Sequence, residues 1–350
     1  MATSTLNHHW CVGIDLHKDT LTACTFCRCC GEISFRKIAC KCRKQIVDYF
    51  ASLPTPHTVA IETVGFYRWL WEMLEPIVEN LVLADATQAR ALAGRRLKTD
   101  REDAFNVAEL LSAGRLPTSY APTAEVQLLR DLTRHRHGFS RQHARVLCRV
   151  KSIMNANNRP GPDRLQSDGL IRYLKAQGEK LPARHVAMLW NCVDQLALTE
   201  RQIAQAEREI KEVVALDVFR PTYQLLTSFP GVAMVTAATI LGEVGDFKRF
   251  TYRKAIARFA GLNPRVYASG GKQRIGHIAK TGSPQLRWIL QQAAWTAIRT
   301  DDHVRLIHSR IARRSGRKAA AVAMARKLLT WMWAAVLHGE PYRGSNTVAA

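Results

Sequence analysis

The sequence lacks the features of membrane-spanning and exported proteins. No apolar run reaches the roughly 20 residues that a bilayer-spanning helix needs. Residues 1–9 do not show the charged and then apolar pattern of a signal peptide, and we find no internal repeat and no low-complexity tract. These absences predict a folded protein of the cytoplasm, without a membrane partner, in which the nine cysteines are reduced thiols.

Acidic residues are also scarce, most of all in the last third of the chain. The 350 residues contain 51 Lys and Arg against 29 Asp and Glu, a formal net charge of +22 at pH 7. From Asp246 onward, twenty Lys and Arg face only four acidic side chains. This excess favours a polyanionic partner, usually nucleic acid, over the alternative of a merely basic soluble surface.

The apolar pattern predicts a mixed sheet followed by long helices. Strands are predicted at 10–16, 19–27, 32–38, 58–62 and 80–84, and helices at 43–53, 66–74 and 100–112. This order fits an RNase H-like domain, in which helices cover the sheet. Two longer helices are predicted at 123–157 and 194–217, and near-heptad spacing in the second indicates a coiled-coil arm.

The fold class predicted is therefore α/β plus α, in three domains. An RNase H-like domain occupies 1–118, the helical arm 119–220, and a mostly helical C-terminal domain 221–345. The first arm helix is rich in arginine, which indicates either a nucleic-acid contact or a solvated helix face.

Four acidic residues stand at places where a sheet could gather them. Asp15 ends the first strand, Glu62 ends the fourth, and Asp100 and Asp103 project from one face at the start of a helix. Crowded carboxylates repel one another unless cations lie between them, and a pair of Mg²⁺ ions suits phosphodiester cleavage. Each acid alone could instead be a turn residue or a helix cap.

A serine in a basic, glycine-containing loop is the candidate nucleophile. Ser269 precedes two glycines, which permit backbone conformations that expose the hydroxyl, and cations follow closely. Such cations stabilise charge on a transferring phosphoryl group, although Ser269 could also be only a phosphate contact or a turn residue. Ser283 precedes Pro284 and an apolar helix, a pattern typical of an N-cap.

Further residues are candidates for nucleic-acid contact. Pro230-Gly231 indicates a helix-hairpin-helix or an ordinary helical hairpin, and residues 310–327 carry only basic charges. The predicted nucleic-acid-binding set is Gly231, Lys272, Arg274, His277, Lys280, Arg287, Arg313, Arg314, Arg317 and Lys318.

The clustered cysteines leave a metal site as a minor alternative. Cys24 and Cys27, followed by Cys40 and Cys42, could form a four-thiolate zinc site. Because this segment is predicted to form a strand hairpin, ordinary strand cysteines are the favoured interpretation.

Several motifs together resemble the DEDD-type insertion-sequence transposases of the IS110 family, and within it the IS1111 branch. They are VGIDLHKDT with Asp15, AIETVG with Glu62, KTDREDA with Asp100 and Asp103, LLTSFPGV, RFAGLNPR, and YASGGKQRIGHIAKTGSPQLR with Ser269. The segments KAAAVAMARKLLTWMW and GEPYR resemble the second branch in particular.

The resemblance implies a transposase in which the acids bind Mg²⁺ and the serine forms a covalent phosphoserine link to a cleaved strand. It implies a tetramer, with active sites combining acids and serine of different protomers. It also implies a structured non-coding guide RNA that pairs with donor and target DNA, in a nucleoid-associated setting. The alternatives are a metal-dependent nuclease or Holliday-junction resolvase acting by hydrolysis, and a non-catalytic RNA- and DNA-binding protein.

Overall fold

A computed structural model describes residues 9–94, 99–162, 166–269 and 272–344, except for the side chains of residue 93 and residues 266–275. The chain divides into two compact units, residues 1–121 and 122–350. The helical arm and the C-terminal segment therefore fall in one unit.

The first unit is built on a mixed sheet of six strands with helices on both faces. Its elements in chain order are β1 (Trp10–Leu16), β2 (Thr20–Cys27), β3 (Ile33–Ala39), α1 (Arg43–Ala51), β4 (His57–Glu62), α2 (Arg68–Leu74), β5 (Asn80–Ala84), α3 (Ala86–Ala93), α4 (Asp100–Ser112) and β6 (Thr118–Ser119). The strand order is β3-β2-β1-β4-β5-β6. The five predicted strands and three predicted helices of this unit are confirmed, with ends that differ by one or two residues.

Strands β1, β4 and β5 run parallel, whereas β2 and β3 pair antiparallel to their neighbours. Successive side chains of a strand point to opposite faces of the sheet. In β1, Val12, Ile14 and Leu16 join one apolar core with residues of α1 and α2. The alternate residues Gly13 and Asp15 therefore face α4 on the other side.

The second unit contains the remaining helices and one hairpin. Its elements are α5 (Ala124–Ala156), α6 (Ser167–Gln177), α7 (Ala183–Val214), α8 (Arg220–Thr227), α9 (Met234–Val244), α10 (Arg253–Phe259), β7 (Pro264–Ser269), β8 (Lys272–Ile278), α11 (Pro284–Thr300), α12 (Asp302–Ser315) and α13 (Arg317–His338). Two short 3-10 turns lie at Gly178–Lys180 and Phe247–Arg249.

Helices α5 and α7 pack antiparallel to each other. The start of α5 and the end of α7 share one apolar core, with Val126 and Val214 among its members, and the other ends share a second. Between these cores the contact is polar, because Arg136 pairs with Glu207 and His143 with Glu200. The coiled-coil arm stays a prediction.

The predicted start of α7 was wrong by eleven residues. The helix begins at Ala183, after Pro182, and its buried stripe already includes Leu189 and Cys192. The buried positions therefore keep their three- and four-residue spacing in the segment that follows Pro182. Proline is tolerated at the start of a helix but not in its interior, so the helix begins there.

Candidate active site

Two parallel strands place Asp15 and Glu62 side by side. β1 and β4 are in register with Ile14 opposite Ile61, so the next residue of each strand is an acid. Both side chains lie on the α4 face of the sheet, and both are almost fully buried, with 4% and 3% of the residue surface exposed.

Helix α4 brings the other two predicted acids to the same place. Thr99 caps the helix by accepting a hydrogen bond from the backbone N–H of Glu102, so Asp100 and Asp103 fall in its first turn. The helix can approach β1 because position 13 is a glycine, where any Cβ would overlap the backbone oxygen of Ala104. Small residues on the sheet thus determine where these two acids lie.

The four acids form one electrostatic group. Burial raises the pKa of Glu62 to about 7, although Arg90 at 3.9 Å opposes the shift, and the charges of Asp15 and Asp103 add to it. Burial also raises the pKa of Asp15, opposed by His17 and reinforced by Asp103 and Asp100. The structure thus brings the predicted acids near enough to influence one another's pKa, and their convergence on one metal site stays a prediction.

Two basic residues border this group, and the sequence analysis did not single them out. The Lys37 ammonium donates a hydrogen bond to Asp100 over 2.9 Å, which lowers the pKa of that carboxyl. His17 Nε2 lies 3.1 Å from Asp15 Oδ2 and 3.4 Å from Asp100 Oδ1. Strand register would have indicated Lys37, because Asp15 lies opposite Thr22 and Thr22 opposite Lys37.

The acids fit a divalent cation. Asp15 Oδ2 and Glu62 Oε2 are buried, and neither has a hydrogen-bond partner within the described part of the chain. Donor atoms of Asp15, His17 and Asp100 all lie within 4.8 Å of one another. Buried carboxylate oxygens without donors are costly unless a cation or a proton neutralises them. Hard oxygen donors in this number suit Mg²⁺ or a similar ion.

The candidate serine lies in the second unit, on a hairpin rather than in an irregular loop. β7 and β8 pair antiparallel, with the Ser269 backbone opposite that of Lys272. The side chains of Ser269, Lys272 and Arg274 lie outside the described residues. His277 and Lys280 are exposed near the base of the hairpin.

Arg287 holds the base of this hairpin. Its Nη1 donates to the carbonyl oxygens of Ala260, Thr281 and Gly282 over 3.3, 2.7 and 3.0 Å. The two chain segments cross so closely that a Cβ on Gly261 would overlap the backbone of Thr281. The structure thus gives Arg287 an internal contact, and its predicted contact with nucleic acid stays a prediction.

Sequence comparison places these features in a known group. A family model described as a DEDD transposase of the IS110 type matches residues 12–157, which include all four acids. A second model, described as the transposase IS116/IS110/IS902 family, matches residues 223–309, which include Ser269.

The chain is an insertion-sequence transposase that resembles the IS116/IS110/IS902 family. A probable family 20 transposase of Pseudomonas aeruginosa is 29% identical to it, over 86% of this chain and 90% of the relative. The transposase for the element IS1111A of Coxiella burnetii is 26% identical, over 95% and 91%. The transposase for IS1328 of Yersinia enterocolitica is 25% identical, over 86% and 89%.

As a transposase, the protein is an enzyme that cleaves and transfers DNA strands. The DEDD model implies an RNase H-like fold for the N-terminal unit, which agrees with its strand order, and dependence on a divalent metal. The Asp15, His17 and Asp100 cluster is where such an ion could bind.

Gly231 of the transposase serves helix packing. It adopts a positive φ of 77°, and a Cβ there would overlap the backbone oxygen of Ala293 on α11. This close approach accounts for the glycine without any phosphate, so its predicted nucleic-acid contact stays a prediction. Ser283 is confirmed as an N-cap, because its hydroxyl accepts from the backbone N–H of Leu286.

The junction of α12 and α13 presents a continuous basic surface. Arg313 and Arg314 lie in the last turn of α12, and Arg317 and Lys318 in the first turn of α13, and all four are exposed. Cations at a helix N-terminus are disfavoured by the helix dipole. Arg317 and Lys318 therefore do not stabilise α13 and are available to an anionic partner.

The four-thiolate zinc alternative is wrong. Cys24 and Cys27 are buried on β2, whereas Cys40 follows β3 and donates its backbone N–H to Asp19, beyond the other end of β2. At about 3.3 Å per residue along a strand, the two cysteine pairs are too far apart to share one ion.

One helix of the transposase, α13, is long and apolar enough to cross a bilayer by length and composition alone. Its Ala321, Met324 and Leu328 are buried in the core of the second unit. A single core helix of this kind does not indicate a membrane protein.

Proposed function

We propose that this transposase exchanges DNA strands by transesterification, with a metal held by its four acids and the Ser269 hydroxyl as nucleophile. The observation that carries the proposal is the pair of buried oxygens of Asp15 and Glu62 that lack hydrogen-bond partners among the described residues. Their place beside Asp100 and Asp103 supports a site for Mg²⁺, the ion we propose. For Ser269, the support is its position before two glycines and several cations, in a segment that the family model covers.

In the proposed reaction, the serine, the metal ion and the acids have separate roles. In the first step, the Ser269 oxygen attacks phosphorus and loses its proton, while the bond from phosphorus to one sugar oxygen breaks and that oxygen gains a proton. In the second step, a hydroxyl of the incoming strand attacks the phosphoserine and the serine hydroxyl is restored. A divalent ion, when bound, stabilises charge on the phosphoryl oxygens. The acids hold it, and the backbone of α4 keeps Asp100 and Asp103 in place.

Trapping the covalent intermediate tests the nucleophile. Wild-type protein quenched during strand exchange should yield a DNA adduct that resists denaturation, and Ser269→Ala should yield none. Ser283→Ala is the matched control, since loss of the N-cap costs only about 1 kcal/mol and should leave the adduct in place. If DNA is cut without any adduct, water is the nucleophile and the enzyme acts by hydrolysis.

Metal dependence is tested separately. Asp15→Asn and Asp103→Asn should bind DNA with wild-type affinity and lose cleavage, because the chemistry and not the binding needs the acids. Cleavage that survives in both variants would remove the acids from the mechanism.

We further propose that the partners are donor and target DNA together with a guide RNA, and that the assembly is a tetramer in the nucleoid-containing cytoplasm. The net charge of +22 and the exposed basic junction support a load of two nucleic acids. Purification from cells that carry the whole element should recover an RNA that RNase removes and DNase does not. The protein mass in the nucleic-acid-bound complex should correspond to four chains.

A further inference from the structure

We propose that His17 is a metal ligand, which forms with Asp15 and Asp100 a position that prefers transition ions such as Mn²⁺ to Mg²⁺. This inference deepens the proposed function, because it rests on the acids being a metal site. It adds a nitrogen donor to a site otherwise made of carboxylates.

The distances around His17 fit a shared ion. Neighbouring ligands of an octahedral ion with bonds near 2.1 Å lie about 3 Å apart. His17 Nε2 lies 3.1 Å from Asp15 Oδ2 and 3.4 Å from Asp100 Oδ1. The carboxylates of Asp15 and Asp100 need to move only a little for both of them and the imidazole to bind the same ion.

The contact between His17 and Asp15 involves a buried carboxylate oxygen. Oδ2 of Asp15 is buried, and the imidazole Nε2 of His17 lies 3.1 Å from it. A cation could take up the same two atoms as neighbouring ligands, because imidazole nitrogen and carboxylate oxygen both bind metals.

The backbone holds His17 in this place. Its N–H donates to the Thr20 carbonyl over 2.9 Å, which closes the turn between β1 and β2. Its carbonyl oxygen accepts from the Cys40 thiol at 3.5 Å. Because the turn fixes the backbone of this residue two positions after Asp15, only the side-chain torsions of His17 need ordering to bind an ion.

The nature of the donor predicts the metal preference. Imidazole nitrogen suits Mn²⁺, Fe²⁺, Co²⁺ and Zn²⁺ better than Mg²⁺, which prefers oxygen. Mutation of a residue that only hydrogen-bonds to a metal ligand already lowers metal affinity by about 10–100-fold. Loss of His17 should therefore weaken Mn²⁺ binding by about tenfold or more, and Mg²⁺ binding by less.

Pulsed electron paramagnetic resonance of Mn²⁺ bound to the full-length protein tests the inference without any activity measurement. Wild-type protein should show the modulation of a directly bound nitrogen, and His17→Gln should lose it. His9→Gln is the matched control, because His9 is exposed in the same unit and forms a hydrogen bond with the Thr58 hydroxyl, away from the acids. It should keep the signal.

The outcomes separate the two proposals. If Asp15→Asn abolishes Mn²⁺ binding but wild-type protein shows no nitrogen modulation, the acids bind metal and the role of His17 is overturned. If Asp15→Asn leaves Mn²⁺ binding unchanged, the metal site of the proposed function falls, and the role of His17 with it. The wild-type spectrum decides even if His17→Gln does not fold.

Discussion

Glu62 shows how a single residue can make stability depend on pH. Its side chain is 3% exposed, and burial raises its pKa from an ordinary value near 4.5 to about 7. Between these values the folded protein keeps a proton that the unfolded chain has released. Stability of the metal-free protein must therefore fall as the pH rises through this window, and the raised pKa of Asp15 acts in the same direction.

We predict that Glu62→Gln removes much of this dependence. Glutamine stays uncharged, so the metal-free variant should gain up to about 3 kcal/mol relative to wild type between pH 4.5 and pH 8. The measurement is the free energy of unfolding in urea across that range. Glu75→Gln, which removes an exposed carboxylate of the same unit, should leave the wild-type slope. An unchanged slope in Glu62→Gln would mean that Glu62 is ionised in the folded protein.

At the scale of elements, the approach of α4 to the sheet decides where two of the acids lie. We predict that Gly13→Ala displaces this helix, since the added methyl would overlap the backbone of Ala104. Overpacking of this kind costs about 1–3 kcal/mol, and Mn²⁺ affinity should fall as Asp100 and Asp103 move.

Gly65→Ala is the matched control for that prediction. Gly65 lies in the same unit, has no atom near its would-be Cβ and does not have a positive φ. Both variants are compared by urea unfolding and by Mn²⁺ titration. Equal metal affinity in Gly13→Ala and wild type would show that α4 does not position the acids.

A second element-scale prediction concerns the β7–β8 hairpin. Arg287→Ala removes the donor that three backbone carbonyls share, so the hairpin base should loosen and protease cleavage between residues 260 and 283 should increase. Because small displacements of a nucleophile can cost about 100-fold in rate, adduct formation should slow far more than the melting temperature falls. Arg299→Ala, an exposed arginine of the same helix, should change neither. If Arg287→Ala forms the adduct at the normal rate, Arg287 contributes to folding and does not position the nucleophile.

The elements also show which parts of the site could be predicted from the sequence. Asp15 and Glu62 end predicted strands, and Asp100 and Asp103 share one face of a predicted helix, so local patterns sufficed for them. To predict Lys37 requires the register of three strands, and to predict His17 requires the conformation of a turn. A hydrophobic pattern contains neither kind of information.

Arg287 illustrates a different limit of prediction. A basic residue near other basic residues indicates a nucleic-acid contact. The guanidinium of Arg287 instead donates to the carbonyl oxygen of Ala260 on one segment and to those of Thr281 and Gly282 on the segment that crosses it. The hairpin strands were not predicted either, because glycines in a basic segment favour a loop. What the sequence analysis missed are contacts between segments, which depend on packing.

At the scale of the whole molecule, the charge distribution should determine how binding responds to salt. Each phosphate that a protein neutralises releases counterions and adds about 0.9 to the slope of log affinity against log salt concentration. With a net charge of +22, the transposase should lose affinity for DNA and RNA steeply as salt increases.

The basic junction of α12 and α13 should supply part of that slope. We predict that replacing Arg313 and Arg314 together by Gln lowers the slope by about two units and weakens binding equally for all sequences. The reason is that both side chains are exposed and each can neutralise one phosphate. The control replaces Lys41 and Lys44 of the N-terminal unit, also exposed, and removes the same charge. If both double variants lower the slope alike, binding follows total charge and the junction is not a defined contact. If only the junction variant lowers the slope, the junction of α12 and α13 contacts the phosphate backbone.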